Sequence, residues 1–280
     1  MRRITGLLII EARNSNPNGD PDRESDPRQR VDGRGEISPV SVKRKIRDLI
    51  EDKDGPIWKA LSHELSLRTE EHGILESRGR DRKAIEKELK DSIEGFQRKY
   101  WDGRLFGNTF LEEGGANTIR TGVVQFGLGV SVAPIDIMRH TFTNKSGVQE
   151  GKDRGMAPLT YRVVPHGLYT VPFFVNPSAA HKSGCQQGDV DLMLRVLPYI
   201  YTHTSSLVRT SVILHHIHTF THKSELGTVS DFNFIDAMTP SKKENPNEPS
   251  TQLADYDIPT WEAIKSPFEG KGTYRDHRLF

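Results

Sequence analysis

Four groups of side chains in this sequence are of kinds that do chemistry. The first is the run Asn16-Pro17-Asn18-Gly19-Asp20-Pro21-Asp22, with Asp32 ten residues further on. Clustered carboxylates such as Asp20, Asp22 and Asp32 suit a hard divalent cation, but the regular ligand spacing of a calcium loop is absent. The run is also a dense turn signal, with Pro fixing φ and Asn or Gly turning the chain. A rigid connector that cradles a ligand is therefore the simpler reading. The second group is His215, His216, His218 and His222 in a strand-like stretch. Alternate residues of a strand share a face, which places His216, His218, Phe220 and His222 on one side and His215 and Ile217 on the other. Two or three imidazoles on one face can ligate zinc. No Cys or Glu nearby completes the set and no helical H-E-x-x-H occurs, so imidazoles facing RNA or solvent are expected and no metal or cofactor is assigned.

The third group is Lys43-Arg44-Lys45 with Arg47, which can grip phosphates without reading bases. The fourth is Cys185, the single cysteine. It sits in a polar turn between Gly184 and Gln186, and nothing in the spacing assembles a nucleophilic triad around it. There is no Walker loop and no G-x-G-x-x-G after a strand.

The elements that must position these groups can be read from periodicity. Ile4 to Ala12 is an apolar run bounded by turn residues, as expected of a buried strand. After the loop that follows it, Ser38-Pro39 is a helix start, Ser capping and Pro at the first helical position. Val42, Ile46, Leu49 and Ile50 then form one apolar stripe, with Lys43, Arg44 and Arg47 off it. Residues 51–107 read as a charged helical insertion in which Ile85, Leu89, Ile93, Phe96 and Tyr100 make one stripe. Residues 119–132 read as a strand broken by glycines. Residues 134–165 leave and re-enter the sheet as a long hairpin. A strand to Val175, a helix capped at Gly188-Asp189 and a strand from Arg209 to Phe220 complete the order. The tail from 231 to 280, with five prolines after Met238, reads as an extended appendage to a domain spanning 1–230. With the insertions removed the order is β-α-β-β-α-β, an α+β plan of the ferredoxin-like, RNA-recognition-motif-like kind.

Composition narrows the class. With 280 residues, 34% hydrophobic and 28% charged, the chain can fill one large domain and leave much polar surface. A single cysteine excludes a disulfide framework and fits a reducing compartment. No stretch approaches the roughly 18 to 20 apolar residues of a membrane span, and the N-terminal apolar run is too short for a signal peptide. A cytoplasmic protein without membrane contact is expected. The net charge is only +1, but residues 23–50 hold eight Lys or Arg against five acids and 137–166 hold five against two. That distribution fits one basic face on a neutral protein.

The run Asn16-Pro17-Asn18-Gly19-Asp20-Pro21-Asp22 followed by Lys43-Arg44-Lys45-Ile46-Arg47 resembles the Cas-seven family of type I CRISPR systems, within it the group of subtypes B and C. Arg104-Leu105-Phe106-Gly107, Val164-Pro165-His166-Gly167-Leu168-Tyr169 and the stretch from Ser206 through Arg209 look similar in the same order, so the likeness spans about residues 4–225. The resemblance implies a hand-shaped protein with a modified RNA-recognition-like palm, a helical part and a hairpin thumb at 134–165. Such proteins bind a guide RNA (crRNA) backbone in several stacked copies within a Cascade complex, beside subunits of the Cas-five and Cas-eight families. The thumb of one copy reaches the next and kinks the RNA, and the bases between kinks pair with target DNA. Type I members do not cut, whereas type III relatives cut target RNA with a loop aspartate, for which Asp32 would be the counterpart.

The residues expected to touch RNA are Asn16, Asn18, Arg28 and Arg30 in the loop; Lys43, Arg44, Lys45 and Arg47 on the helix; and Arg104, His166 and Arg209 in the shared segments. Arg139, Lys145, Lys152 and Arg162 are expected to do so on the hairpin. A protein that accepts every guide cannot read bases, so phosphate and shape contacts should dominate. The rival readings are an RNA-cleaving relative using Asp32, Asp20 or Asp22, and a metal-dependent nucleotide enzyme using the histidines.

Overall fold

The computed structural model describes residues 1–79, 81–107, 121–144 and 157–279. The elements run β1 (Ile4–Ser15), β2 (Arg34–Ile37), α1 (Pro39–Glu51), α2 (Pro56–Glu64), α3 (Arg82–Asp91), α4 (Ile93–Lys99) and α5 (Trp101–Phe106). They continue as β3 (Val124–Phe126), β4 (Gly129–Pro134), β5 (Met138–Asn144), β6 (Ala157–Val175), α6 (Ala180–Ser183), α7 (Gln187–Val196) and β7 (Val212–His222). The C-terminal part adds α8 (Asp231–Met238), β8 (Ser241–Lys242), β9 (Tyr256–Asp257), α9 (Trp261–Ile264) and β10 (Gly272–Asp276).

The fold is mixed, with one large sheet in the order β10-β7-β1-β6-β4-β2, and β3 and β5 paired to β6 off that path. Every pairing is antiparallel. β1 lies at the centre, between β6 (Ile4 opposite Val175) and β7 (Ile4 opposite Thr221). Its residues from Ile4 to Ala12 are all buried, which is why the sequence there is a continuous apolar run rather than an alternation. Leu8, Ile10 and Ala12 face a core shared with α1, α2, α5 and α7; Leu7 and Ile9 face a second core on the other side.

The helix α1 begins where its sequence says. Ser38 Oγ accepts from Ser41 N at 3.2 Å, Pro39 occupies the first turn, and Val42, Ile46, Leu49 and Ile50 are buried. The helix expected from Gly188-Asp189 starts at Gln186 instead, because the Asp189 carboxylate reaches back to Gln186 N at 2.9 Å and closes a capping box. The stripe from Ile85 to Tyr100 is divided over two helices, since Ser92 is extended (φ −161, ψ 112) and its Oγ caps α4 at Gly95 N. The strand expected over 119–132 is two short strands, β3 and β4; its first two residues lie outside the described set.

The hairpin is present and differs in its root. β5 pairs with the first part of β6 from Met138–Val163 to Asn144–Ala157. β6 is unbroken over its 19 residues, and its second part lies in the centre of the sheet. The hairpin is therefore an outgrowth of a central strand, whose partner changes from β5 to β1 between Val163 and Val164, beside the Pro165 expected as the return point.

The tail is the main correction. Residues 231–280 are no extended appendage: α8 and the segment after it lie on the second face of the sheet, and β10 pairs with β7. Phe234, Met238, Tyr256 and Phe268 are buried there against Leu7, Ile9, Leu168 and Phe220. Each such side chain contributes about 2 kcal/mol of burial. A sheet apolar on both faces must be covered on both, and the tail supplies the second cover. Phe234, Ile235 and Met238 stand at helical spacing, but that run is short and Tyr256 and Phe268 follow in isolation, so the sequence gives little signal of the cover.

Candidate nucleic-acid interface

The loop after β1 is held as a rigid piece. Asn18 Oδ1 accepts from Ser38 N at 2.8 Å, fastening the loop to the start of α1, and Asn16 Nδ2 donates to Ser25 O at 2.9 Å. Asp20 N donates to Asp26 O at 2.7 Å, closing the loop on itself. Arg209, beside the Ser206–Arg209 bridge, donates from Nε to Asn16 O at 3.1 Å. The base of the hairpin is latched to the same loop. Arg139 grips Asp26 with two nitrogens (Nη2–Oδ2 2.6 Å, Nε–Oδ1 3.1 Å), and Arg162 pairs with Glu24 and with Asp26 (3.1 Å). The bond from Arg139 outweighs partial burial and holds the Asp26 carboxyl below its usual range.

Between these parts runs an open groove of about 650 Å³, lined by Asn16, Asn18, Gly19, Glu24, Thr160, Arg162 and Arg209 among others. Two polar atoms in it, Asn16 Oδ1 and Arg162 Nε, are buried without a hydrogen-bond partner. Unsatisfied polar atoms in a groove are the usual mark of a place where a ligand or ordered water belongs. A groove with two guanidinium groups, amide side chains and small hydroxyls beside Pro21 and Val208 has the mixed wall that a sugar–phosphate chain can follow.

Four of the expected residues thus converge: Asn16, Asn18, Arg162 and Arg209. Arg139 stands at the hairpin base beside them, 57% exposed on its side chain. Arg28 pairs with Asp20 at 3.5 Å and Arg30 with Asp32 at 3.6 Å, both on the loop surface. Lys145 and Lys152 lie outside the described residues.

Other expectations are overturned by burial. Arg47 Nε bonds Asp102 Oδ2 at 2.7 Å, and both side chains are almost wholly enclosed. Asp102 also accepts from Leu75 N at 2.6 Å and Glu76 N at 3.1 Å. Arg104 bonds both oxygens of buried Asp189 (2.7 and 3.1 Å) and the carbonyls of Gln97 and Glu71. The Arg104 donors are taken up inside the protein, and the Arg47 guanidinium is enclosed between Asp102 and the Phe106 ring. His166 is buried between Glu11 Oε1 at 3.0 Å and Ser250 Oγ at 2.7 Å, tying the tail to the sheet. Lys45 is 5% exposed, donates to Ser41 Oγ at 2.9 Å and lies over the Tyr201 ring. Burial, with Arg209 nearby, pushes it down to about 7. Lys43, over the Phe106 ring, is pushed down to about 8 by burial and then Arg47. Lys43 and Arg44, the latter loosely paired with Asp48 at 3.8 Å, keep the partly exposed position expected of that helix face.

The rival chemistry is not assembled in the loop. Asp20 is taken up by Asp22 N and Arg28, and Asp32 by Arg34 N and Arg30. The Cys185 thiol is buried and pushed up by burial, which suppresses the thiolate. The strand alternation of the histidines holds. His215 reaches Glu11 at 2.7 Å on one face, while His216 and His218 stack on the other, ring centroids 4.9 Å apart. Burial would raise Glu11, but bonds from Arg13, His215 and His166 prevail and bring it down to about 2. Burial pushes His218 down to about 4.

Thr160, Glu24 and Asp26 are groove or latch residues that sequence reasoning missed. The one available signal was the pair of acids at 24 and 26 inside an otherwise basic loop.

A family model described as CRISPR-associated protein Cas7 matches residues 2–260. The chain belongs to the Cas7 family. Among solved structures, a chain of a "CRISPR RNA-guided surveillance complex, pre-nicking" is similar to this Cas7 protein at 18% identity and a TM-score of 0.50, covering 79% of this chain and 78% of the other. That likeness shows a shared fold. A chain of another "CRISPR RNA-guided surveillance complex" is 16% identical, with a TM-score of 0.46 over 96% of this chain and 87% of its own. No curated protein matches the sequence. No described helix of this Cas7 chain is long and apolar enough to cross a membrane.

Proposed function

We propose that this protein is a guide-RNA-binding backbone subunit of a type I Cascade complex, which oligomerises along the crRNA and presents it to target DNA. The observation that carries the reading, beside membership of the Cas7 family, is the groove between the Asn16–Ser25 loop, the hairpin base and Arg209. It offers positive charge from Arg162 and Arg209 to a backbone, while the amide donors of Asn16 and Asn18 hold the loop itself in shape, and charge contacts of that kind suit a subunit that must accept every guide. The strand order β7-β1-β6-β4, all antiparallel, is the order of a β-α-β-β-α-β unit and supports a ferredoxin-like palm. The β5–β6 hairpin would be its thumb, α2 to α5 its helical part, and the tail part of the palm domain itself. The partners are the crRNA, target DNA through the hybrid, further copies of this chain, and subunits of the Cas-five and Cas-eight families.

Sequencing the RNA that co-purifies with the protein tests this. Repeat-flanked guides are expected; bulk cellular RNA without them would defeat the proposal. The subunit is proposed to bind without cutting, so Asp32→Ala should leave target cleavage by the whole complex unchanged. Metal-dependent RNA cuts that vanish in that variant would overturn the point.

A further inference from the structure

The histidine pair on β7 meets a partner that no local reading of the sequence supplies. β10 lies along β7 with Asp276 opposite His218. One ring nitrogen each of His216 and His218 and a carboxylate oxygen of Asp276 lie within 4.8 Å of one another. We propose that His216, His218 and Asp276 form a binding site for a divalent ion of the zinc class, which fastens the C-terminal strand to the sheet.

The donor set is two imidazoles and one carboxylate, the N/O mixture that borderline ions such as Zn²⁺ take in three-ligand sites with a water in the fourth place. Ligands at about 2.0 to 2.2 Å from a tetrahedral ion stand a little over 3 Å from each other, inside the observed spread. The Asp276 Oδ2 to His216 Nδ1 distance is 2.8 Å, so only a small opening is needed there.

A second observation points to a ligand independently. His218 is 98% buried, and its Nε2 has no hydrogen-bond partner. Its Nδ1 faces the Tyr274 hydroxyl at 2.9 Å, and Tyr274 is itself held flat against Trp261 at 4.4 Å. When Nδ1 donates to that hydroxyl, Nε2 carries a bare lone pair, the state an ion needs. Left alone, that buried atom is a cost to the fold. The carboxylate is aimed in the same way: Ile217 N donates to Asp276 Oδ1 at 3.1 Å. Partners that orient ligands from behind are what distinguishes a built site from a chance cluster. Arg278 Nε competes for Oδ2 at 3.4 Å, but its side chain is half exposed and free to swing away.

The test uses the full chain stripped with a chelator, then titrated with Zn²⁺ by calorimetry and with Co²⁺ by visible spectroscopy. One Zn²⁺ per chain is expected, micromolar or tighter, with Co²⁺ giving the absorption of a four-coordinate N/O site. Asp276→Asn, which keeps an oxygen for Ile217 N, and His216→Gln should each weaken binding by roughly 100-fold. Melting without metal checks that both variants fold, and His203→Gln, an exposed histidine elsewhere, should bind as the parent does. Zn²⁺ should also slow tryptic cleavage after Lys271 and Arg275 in the parent and not in Asp276→Asn. Absence of saturable Zn²⁺ binding overturns the proposal. So does binding that survives both substitutions, since the ion would then be held elsewhere.

Discussion

Arg47 and Arg104 each face one buried carboxylate and are about 8% exposed on their side chains, whereas Arg162 and Arg209 line an open groove with partners that a phosphate can displace. Arg47, Arg104 and Arg209 stand in shared motifs and Arg162 in a basic segment, and nothing local in the sequence separates them. The difference lies in the acid opposite. Asp102 and Asp189 are enclosed and satisfied by several donors; Asp26 is buried as well, but it shares Arg162 with the exposed Glu24, and Arg209 is held by the Asn16 carbonyl. Positive charge marks an interface only where its counter-charge is cheap to leave.

The largest effect that would break this contrast is on stability. Arg104→Ala should leave Asp189 buried and unpaired and cost about 3–5 kcal/mol, and Arg47→Ala should cost a similar amount through Asp102. Denaturant melts measure this. Guide binding by whatever fraction stays folded should be nearly unchanged. A stable Arg104→Ala protein that no longer binds RNA would reverse the assignment of the two regions.

Next in size is Lys45, which belongs to the buried region yet lacks a carboxylate within hydrogen-bond range. Its folded value, about 7, lies below its unfolded one. Between these values the unfolded chain binds more protons, so the native state gains stability as pH rises through that window. Lys45→Met should therefore stabilise the protein at pH 7, by on the order of 2 kcal/mol, and the advantage should shrink toward pH 10. Thermal melts of both proteins across that range would show it, and an advantage independent of pH would contradict it.

Arg162→Ala and Arg209→Ala sharpen the other side. Each should fold normally and weaken guide binding by about 1–2 kcal/mol, equally for unrelated spacers. Each lost phosphate contact should reduce the salt slope by about 0.7. Binding isotherms at several salt concentrations decide this; a loss that varied with spacer sequence would mean base reading. The smallest effect on guide binding is expected for Asp26→Ala, which frees Arg139 and Arg162 from a carboxylate that is buried while both guanidinium groups stay partly exposed. Guide affinity should rise by no more than about fivefold in the same assay, whereas a fall would make the latch a required part of the groove.

Much of this was legible locally. The central strand, the Ser38-Pro39 helix start, the hairpin and the alternation of the histidines each follow from a short-range rule. The loop motif gave Asn16 and Asn18, and basic segments gave Arg162 and Arg209. What sequence could not show was pairing at a distance. Arg47 meets Asp102, Arg104 meets Asp189, and Asp276 comes to His216 only because β10 adds to β7. The tail's cover of the second face was largely hidden for the same reason, since Tyr256 and Phe268 are placed by the sheet they meet and not by a period of their own.

The position of β1 has a consequence for how the chain comes to be folded. It is the first strand made and the central one, yet its neighbours are β6 and β7, more than 140 residues later. Synthesis at about 5–20 residues per second leaves that apolar strand without a partner for roughly ten to thirty seconds after it leaves the ribosome. Contacts of such long sequence separation also form slowly. The strand that anchors the finished sheet is thus, during synthesis, an unpaired sticky segment, and the yield of soluble protein should depend on translation fast enough to shorten that wait or on a chaperone that holds residues 4–12 until β6 arrives.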